Sequence, residues 1–327
     1  MPHATLNPLR PLDEPTPLAV PAEVEYHRVY AGATRRIPRG LLAIVLLLAG
    51  LIGFAQLFRF GASLVDTNLL GGARSTTLEH AAGTLSLAVL IPYSMLLQRW
   101  LYGLPARSLH SVVGRFRYGL LARSLLVFGP LLLVTVSVSS LLEPGEQVPW
   151  TTVDLVAYFV IGMLLTPLAA AGEEYGVRGL MFRVVGGWTR GARSGAVLGV
   201  VVTTVLFSLL HGSLDPYILT SYLVLFGSMA VITWRTGGLE VAVALHAVYN
   251  VAGLVLATTL HTDVAGALSG REETAGSITY LIPSAALVVI TTVLWWTTRR
   301  TGPARTSRDI SDRQAGRRTP PTGGSTG

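Results

Sequence analysis

The chain has 327 residues, half of them hydrophobic and only 13% charged, with a mean hydropathy of +0.53. That is too apolar for a soluble domain of this size and marks an all-α, polytopic membrane protein. The net charge of +7 comes wholly from arginine, whose distribution speaks for topology rather than nucleic-acid binding, and the absence of cysteine excludes disulfides, a thiol nucleophile and Cys-ligated metal.

Residues 1–39 are rich in Pro and Arg and hold no apolar run. They lack the h-region of a cleavable signal peptide and read as a disordered cytoplasmic tail. A spanning helix needs about 20 apolar residues, and the sequence predicts eight, at roughly 40–58, 78–98, 120–142, 153–172, 196–211, 217–234, 239–258 and 278–297. They define a membrane domain over 40–298. The polar stretch 299–327, with Arg, Thr, Pro and Gly throughout, reads as a second disordered cytoplasmic tail.

Cytoplasmic loops retain positive charge during insertion, whereas acidic residues carry little weight. With eight spans, every arginine except Arg59, Arg74 and Arg271 falls on one side. Both termini are therefore expected in the cytoplasm, in a cell membrane.

The stretch Ala171-Gly172-Glu173-Glu174-Tyr175-Gly176-Val177-Arg178-Gly179 puts two carboxylates and an arginine at the end of the fourth apolar run. Charge at membrane depth is expensive and usually functional. Two later segments carry histidines with helical-spaced partners, Phe207 with His211 and His246 with Asn250. The Gly-rich stretch from Gly186 to Gly195 predicts a break between the fourth and fifth helices. A hairpin about it places Glu173 and His211 at about the same height, in the inner half of the membrane, with His246 at a matching depth. The break Gly212-Ser213-Leu214-Asp215-Pro216 then lines a water-accessible cavity, or else is a simple outer loop.

Residues four apart share a helix face, so Glu174 lies over Arg178 while Glu173 points elsewhere. A desolvated carboxylate without a cation partner can serve as a general base, so Glu173 is the candidate to draw a proton from water. His211 could hold that water or share the proton. His246 and Asn250, one turn apart, offer donors for an oxyanion. Phe207 reads as packing. Glu79, His80, His110, Glu272 and Glu273 read as solvated surface, and the metalloprotease signature H-E-x-x-H is absent.

In their order, the motifs Glu173-Glu174-Tyr175-Gly176-Val177-Arg178, Phe207-Ser208-Leu209-Leu210-His211 and His246-Ala247-Val248-Tyr249-Asn250 resemble the CPBP intramembrane proteases. That family includes the CAAX-processing Ras-converting enzyme and bacterial bacteriocin-processing or self-immunity (Abi) proteins. The resemblance covers about 153–257. It implies an eight-helix endopeptidase in which Glu173 and His211 activate water, His246 and Asn250 form the oxyanion site, and Glu174 and Arg178 support the architecture. It implies a peptide or membrane-protein substrate and no certain cofactor. A zinc ion bound by Glu173, His211 and His246 would require the three to converge. One alternative is a non-catalytic protein of the same fold, either a bacteriocin-immunity factor or a scaffold. Another is a proton-coupled transporter, against which the absence of a visible internal repeat weighs.

Overall fold

The computed structural model describes residues 18–32, 36–69, 76–264 and 275–308. Arg74, Arg271, Glu272, Glu273 and the outer parts of both expected tails lie outside the described residues. Among the described residues, eight helices are long and apolar enough to cross a membrane, one for each expected segment and in the same order. They comprise α1 (Ile37–Leu69); α2 (Thr76–Ala88) with α3 (Leu90–Tyr102); α4 (Tyr118–Leu142); a composite fourth span; α8 (Ala192–Leu209); α9 (Pro216–Thr236); α10 (Glu240–Thr259); and α11 (Leu281–Thr297). The composite span runs through α5 (Thr152–Leu164), α6 (Thr166–Glu174), a π-helical turn (Tyr175–Met181) and α7 (Phe182–Gly187).

Local chemistry sets the boundaries. The hydroxyl of Thr151 caps α5 by accepting from the amide of Asp154, 3.1 Å away. Asp215 caps α9 through the amides of Tyr217 and Ile218, with Pro216 in the first turn, where its missing N–H is no loss. Gly237 ends α9 in the left-handed region at φ +66°. The predicted break from Gly186 to Gly195 is narrower than expected, because α7 continues through Gly187 and α8 begins at Ala192. Gly186 stays helical and is glycine for another reason. A Cβ there would lie 2.8 Å from Cβ of His27, where the N-terminal segment presses on α7.

α10 is the centre of the bundle and packs on α4, α5, α6 and α9, while α8 packs chiefly on α9 and α7. α1 lies at the rim and leaves Leu41, Val45, Ile52, Leu57 and Phe60 exposed, the apolar surface a lipid-facing helix presents.

The expectation of two disordered tails is corrected over 18–32 and 299–308. Tyr26, His27, Val29 and Tyr30 are buried, and the Arg28 guanidinium donates to the carbonyls of Gly186 at 2.7 Å and Thr189 at 2.9 Å. Thr306 donates its hydroxyl to the Pro21 carbonyl at 2.6 Å and its amide to the Val24 carbonyl at 2.9 Å, while Glu25 and Arg305 form an antiparallel bridge. The apolar residues here follow no helix or strand period, so a search for runs passes over them. Their pairing puts both ends of the described chain on one side, as an even number of spans requires. Arg178 and Arg183, counted above among the loop arginines, are instead fully buried.

Candidate functional site

Glu173 and Glu174 close α6 where the backbone widens into the π turn, a local geometry frequent at functional sites. Gly172 allows a close crossing just before them. A Cβ at this position would sit 1.9 Å from the carbonyl oxygen of Leu87, so the end of α2 lies against bare backbone.

The two carboxylates have different surroundings. Glu174 is fully buried, and its Oε1 accepts from Arg178 Nη1 at 3.1 Å and from His246 Nδ1 at 2.9 Å. Arg178, equally buried, donates through Nη2 to the Phe226 carbonyl at 3.1 Å and lies 4.9 Å and 5.0 Å from the ring centres of Phe207 and Phe226. Desolvated cation–π contacts of this kind are worth about 2 kcal/mol. Phe207, expected as packing, thus also holds the arginine.

Glu173 lies on the other side of His246, with Oε2 3.4 Å from Nε2. Its side chain keeps 13% of its surface, and it lines a narrow cleft between α1, α3, α8 and the π turn. The rest of that wall is apolar, with Leu47, Leu51, Leu90, Leu206, Phe207 and Leu210 among its residues.

His246 therefore sits between two carboxylates. Because Glu174 can only accept when ionised, Nδ1 of His246 carries a proton. Nε2 then faces Glu173 Oε2 at 3.4 Å, a contact that is an ion pair when this nitrogen also carries a proton.

His211 follows the end of α8 and shares a proton from Nδ1 with the Phe207 carbonyl at 2.8 Å, which leaves a lone pair on Nε2. Its ring packs against Phe207, Tyr222 and Phe226 at centroid distances of 4.8, 4.8 and 4.7 Å. In the break after it Ser213 is buried, whereas Leu214 is exposed. His211 and His246 meet through Phe226, whose ring centre is 6.1 Å from that of His246. The helices carrying them, α8 and α10, are joined across α9. Asn250 follows His246 by one turn and is half-buried.

The residues do not fit a zinc set. Both ring nitrogens of His246 face carboxylates, and among the described residues no three histidine, aspartate or glutamate side chains are arranged to hold a metal ion.

Sequence reasoning missed Phe226, which contacts Arg178 and both histidines, and the leucines of α1 that form one cleft wall. The only signal for Phe226 was its helical spacing from Tyr222. It also took His110 for solvated surface, whereas the ring is hydrogen-bonded through Nδ1 to the Tyr175 hydroxyl.

Residues 152–252 match the family model described as Type II CAAX prenyl endopeptidase Rce1-like. The match runs from α5 into α10 and includes Glu173, Glu174, Arg178, Phe207, His211, His246 and Asn250. No curated protein and no solved structure matches the chain.

Proposed function

We propose, on the premise that residues 152–252 carry an Rce1-like CAAX prenyl endopeptidase domain, that this multi-pass membrane protein is an endopeptidase that hydrolyses a peptide bond with water activated by Glu173. The observation that carries this reading is the position of Glu173. It is the one charged side chain on an apolar cleft wall, while its neighbour Glu174 is held by Arg178 and His246. If His246 carries a proton on both ring nitrogens, Glu173, Glu174, Arg178 and His246 sum to zero charge, as a site shielded from water favours.

In this mechanism Glu173 takes a proton from a water molecule whose other hydrogen is held by the lone pair on His211 Nε2. The resulting hydroxide bonds to the scissile carbonyl carbon, and the carbonyl electron pair moves to oxygen. His246 Nε2–H and the Asn250 amide stabilise that oxyanion. As the intermediate collapses, the C–N bond breaks and the leaving amine takes the proton from Glu173, which returns to its carboxylate form. No metal takes part in any of these steps.

The substrate class is a peptide or a segment of a membrane protein that reaches the cleft from the bilayer. The arginine-rich end, where residues 18–32 and 303–308 lie, faces the cytoplasm by the retention rule for positive loops. The test is comparative proteomics of membrane and released peptides from cells carrying wild-type protein or Glu173→Ala at equal abundance. Cleavage products confined to wild-type cells support the reading. Identical peptide sets sink it and favour a non-catalytic member of the same fold.

A further inference from the structure

The loop between α3 and α4 is tied to both helices that carry the site. On one side it is laced to the start of α10. The Val112 amide donates to the Gly237 carbonyl at 2.7 Å, the Leu239 amide donates to the His110 carbonyl at 3.0 Å, and Ser111 and Gly238 form an antiparallel bridge. Arg117 grips the fully buried carboxylate of Glu240, the first residue of α10, through Nε at 2.9 Å, Nη2 at 2.7 Å and its backbone amide at 2.9 Å. On the other side the loop meets the π turn and α7. Arg183 Nη2 donates to the Ser108 carbonyl at 2.7 Å, and Leu109 packs on Gly179.

His110 is where the two sets of contacts join. Its carbonyl holds the residue that precedes α10, and its ring is hydrogen-bonded through Nδ1 to the hydroxyl of Tyr175, with the two rings edge-to-face at a centroid distance of 5.5 Å. Phe116 backs the imidazole at 5.9 Å. Tyr175 directly follows Glu174 and opens the π turn, and Leu239 lies two helical turns before His246. One residue thus bridges the backbone that presents the glutamates and the backbone that presents their histidine.

We propose that His110 is a positioning residue, which through Tyr175 and Leu239 sets the register of α10 against the π turn and so the separation of His246 from Glu173 and Glu174. This rests on the peptidase reading above only for its consequence in turnover. Displacement of a catalytic group by about 1 Å can lower the rate by roughly 10², and loss of one hydrogen bond in a strap held by several others should give a smaller effect.

The test uses purified full-length protein in detergent, a pooled quenched-fluorescent peptide library as probe, and the variants His110→Phe, Tyr175→Phe, the double variant and His110→Gln. Both single changes should lower kcat about tenfold with KM unchanged. The double variant should be no worse than either, because each acts through the same bond. His110→Gln, which can still hydrogen-bond the phenol, should recover most of the loss. A purely structural role would lower melting temperature and leave kcat per folded molecule intact. Wild-type kcat in both single variants, or losses that multiply in the double, overturns the proposal.

A second readout needs no activity. The chain has no native cysteine, and Ala171 and Val243 belong to one buried cluster between α6 and α10. Crosslinking of cysteines at these two positions by short reagents should fall in His110→Phe and recover in His110→Gln. If wild type cleaves no peptide while this register effect holds, the peptidase reading fails and the positioning inference stands. Unchanged crosslinking in His110→Phe overturns it.

Discussion

Replacement of Arg178 by glutamine would take from Glu174 its arginine partner and leave His246 as its remaining ion-pair contact, in a place where both the glutamate and the arginine are fully buried. Removing one member of a buried pair costs about 3–5 kcal/mol, most of it the penalty of the charge left behind. The substitution also removes the donor to the Phe226 carbonyl and the stacking on Phe207 and Phe226. By the usual scaling, such a loss lowers the melting temperature by roughly 10 °C. Glu174→Gln should be damaging for the converse reason. The double variant Glu174→Gln with Arg178→Gln leaves neither charge uncompensated, so it should melt above Arg178→Gln alone, with a coupling of about 1–3 kcal/mol. The assay is a double-mutant cycle on melting in detergent, followed by aggregation and by tryptophan fluorescence. If Arg178→Gln melts with wild type, or the double variant shows the full sum of the two losses, the buried pair is not what holds this end of α6.

Acid sensitivity should trace in part to His27, whose imidazole is held down to about 4 by burial and by nearby Arg28, against the opposing pull of the Ala192 carbonyl and Glu25. The unfolded chain protonates this group near 6.5, so its stabilisation is complete above that pH and is lost as pH falls toward 4, for about 3 kcal/mol in all. Melting curves from pH 7.5 to 4.5 should therefore fall less steeply for His27→Gln than for wild type, and parallel curves would refute the assignment. Gly172→Ala should sharply lower yield and melting temperature, since its Cβ would meet the Leu87 carbonyl at 1.9 Å, whereas Gly253→Ala, with nothing within 4 Å, should be neutral or mildly stabilising. Equal behaviour of the two would remove the close crossing of α2 and α6. Reporter fusions after Glu146 and after Arg300 should give opposite compartments, and the same compartment for both would break the eight-span topology.

The eight spans were legible because each is a long apolar run, and Glu174 over Arg178 because four residues on a helix bring side chains together. The same rule placed Phe207 beside His211. What periodicity does not carry is which face of one helix meets another. Glu173 therefore reads, from sequence, as the partner of His211, whereas the structure sets it 3.4 Å from His246. Phe226 looks like any apolar residue of α9 until its carbonyl and ring are seen against Arg178. The π turn was equally hidden, because Gly176 and Gly179 signal weak helix rather than a widened one. The N-terminal segment escaped for want of a run, since Tyr26, Val29 and Tyr30 bury themselves one at a time against α3 and α7.

The claim on which the account depends is that Glu173 is the base. Glu173→Gln keeps size and hydrogen bonding but removes the proton acceptor, and it leaves in place the fully buried pair of Glu174 with Arg178. Turnover of a substrate segment found by the proteomic comparison, measured on wild type, Glu173→Gln and Glu174→Gln with melting temperatures taken on the same preparations, is the direct test. The account predicts that Glu173→Gln melts with wild type and turns over at least about 10²-fold more slowly, while Glu174→Gln loses stability first and keeps activity in the fraction that folds. Normal cleavage by Glu173→Gln, together with a stable but inert Glu174→Gln, would contradict it and assign the base to Glu174.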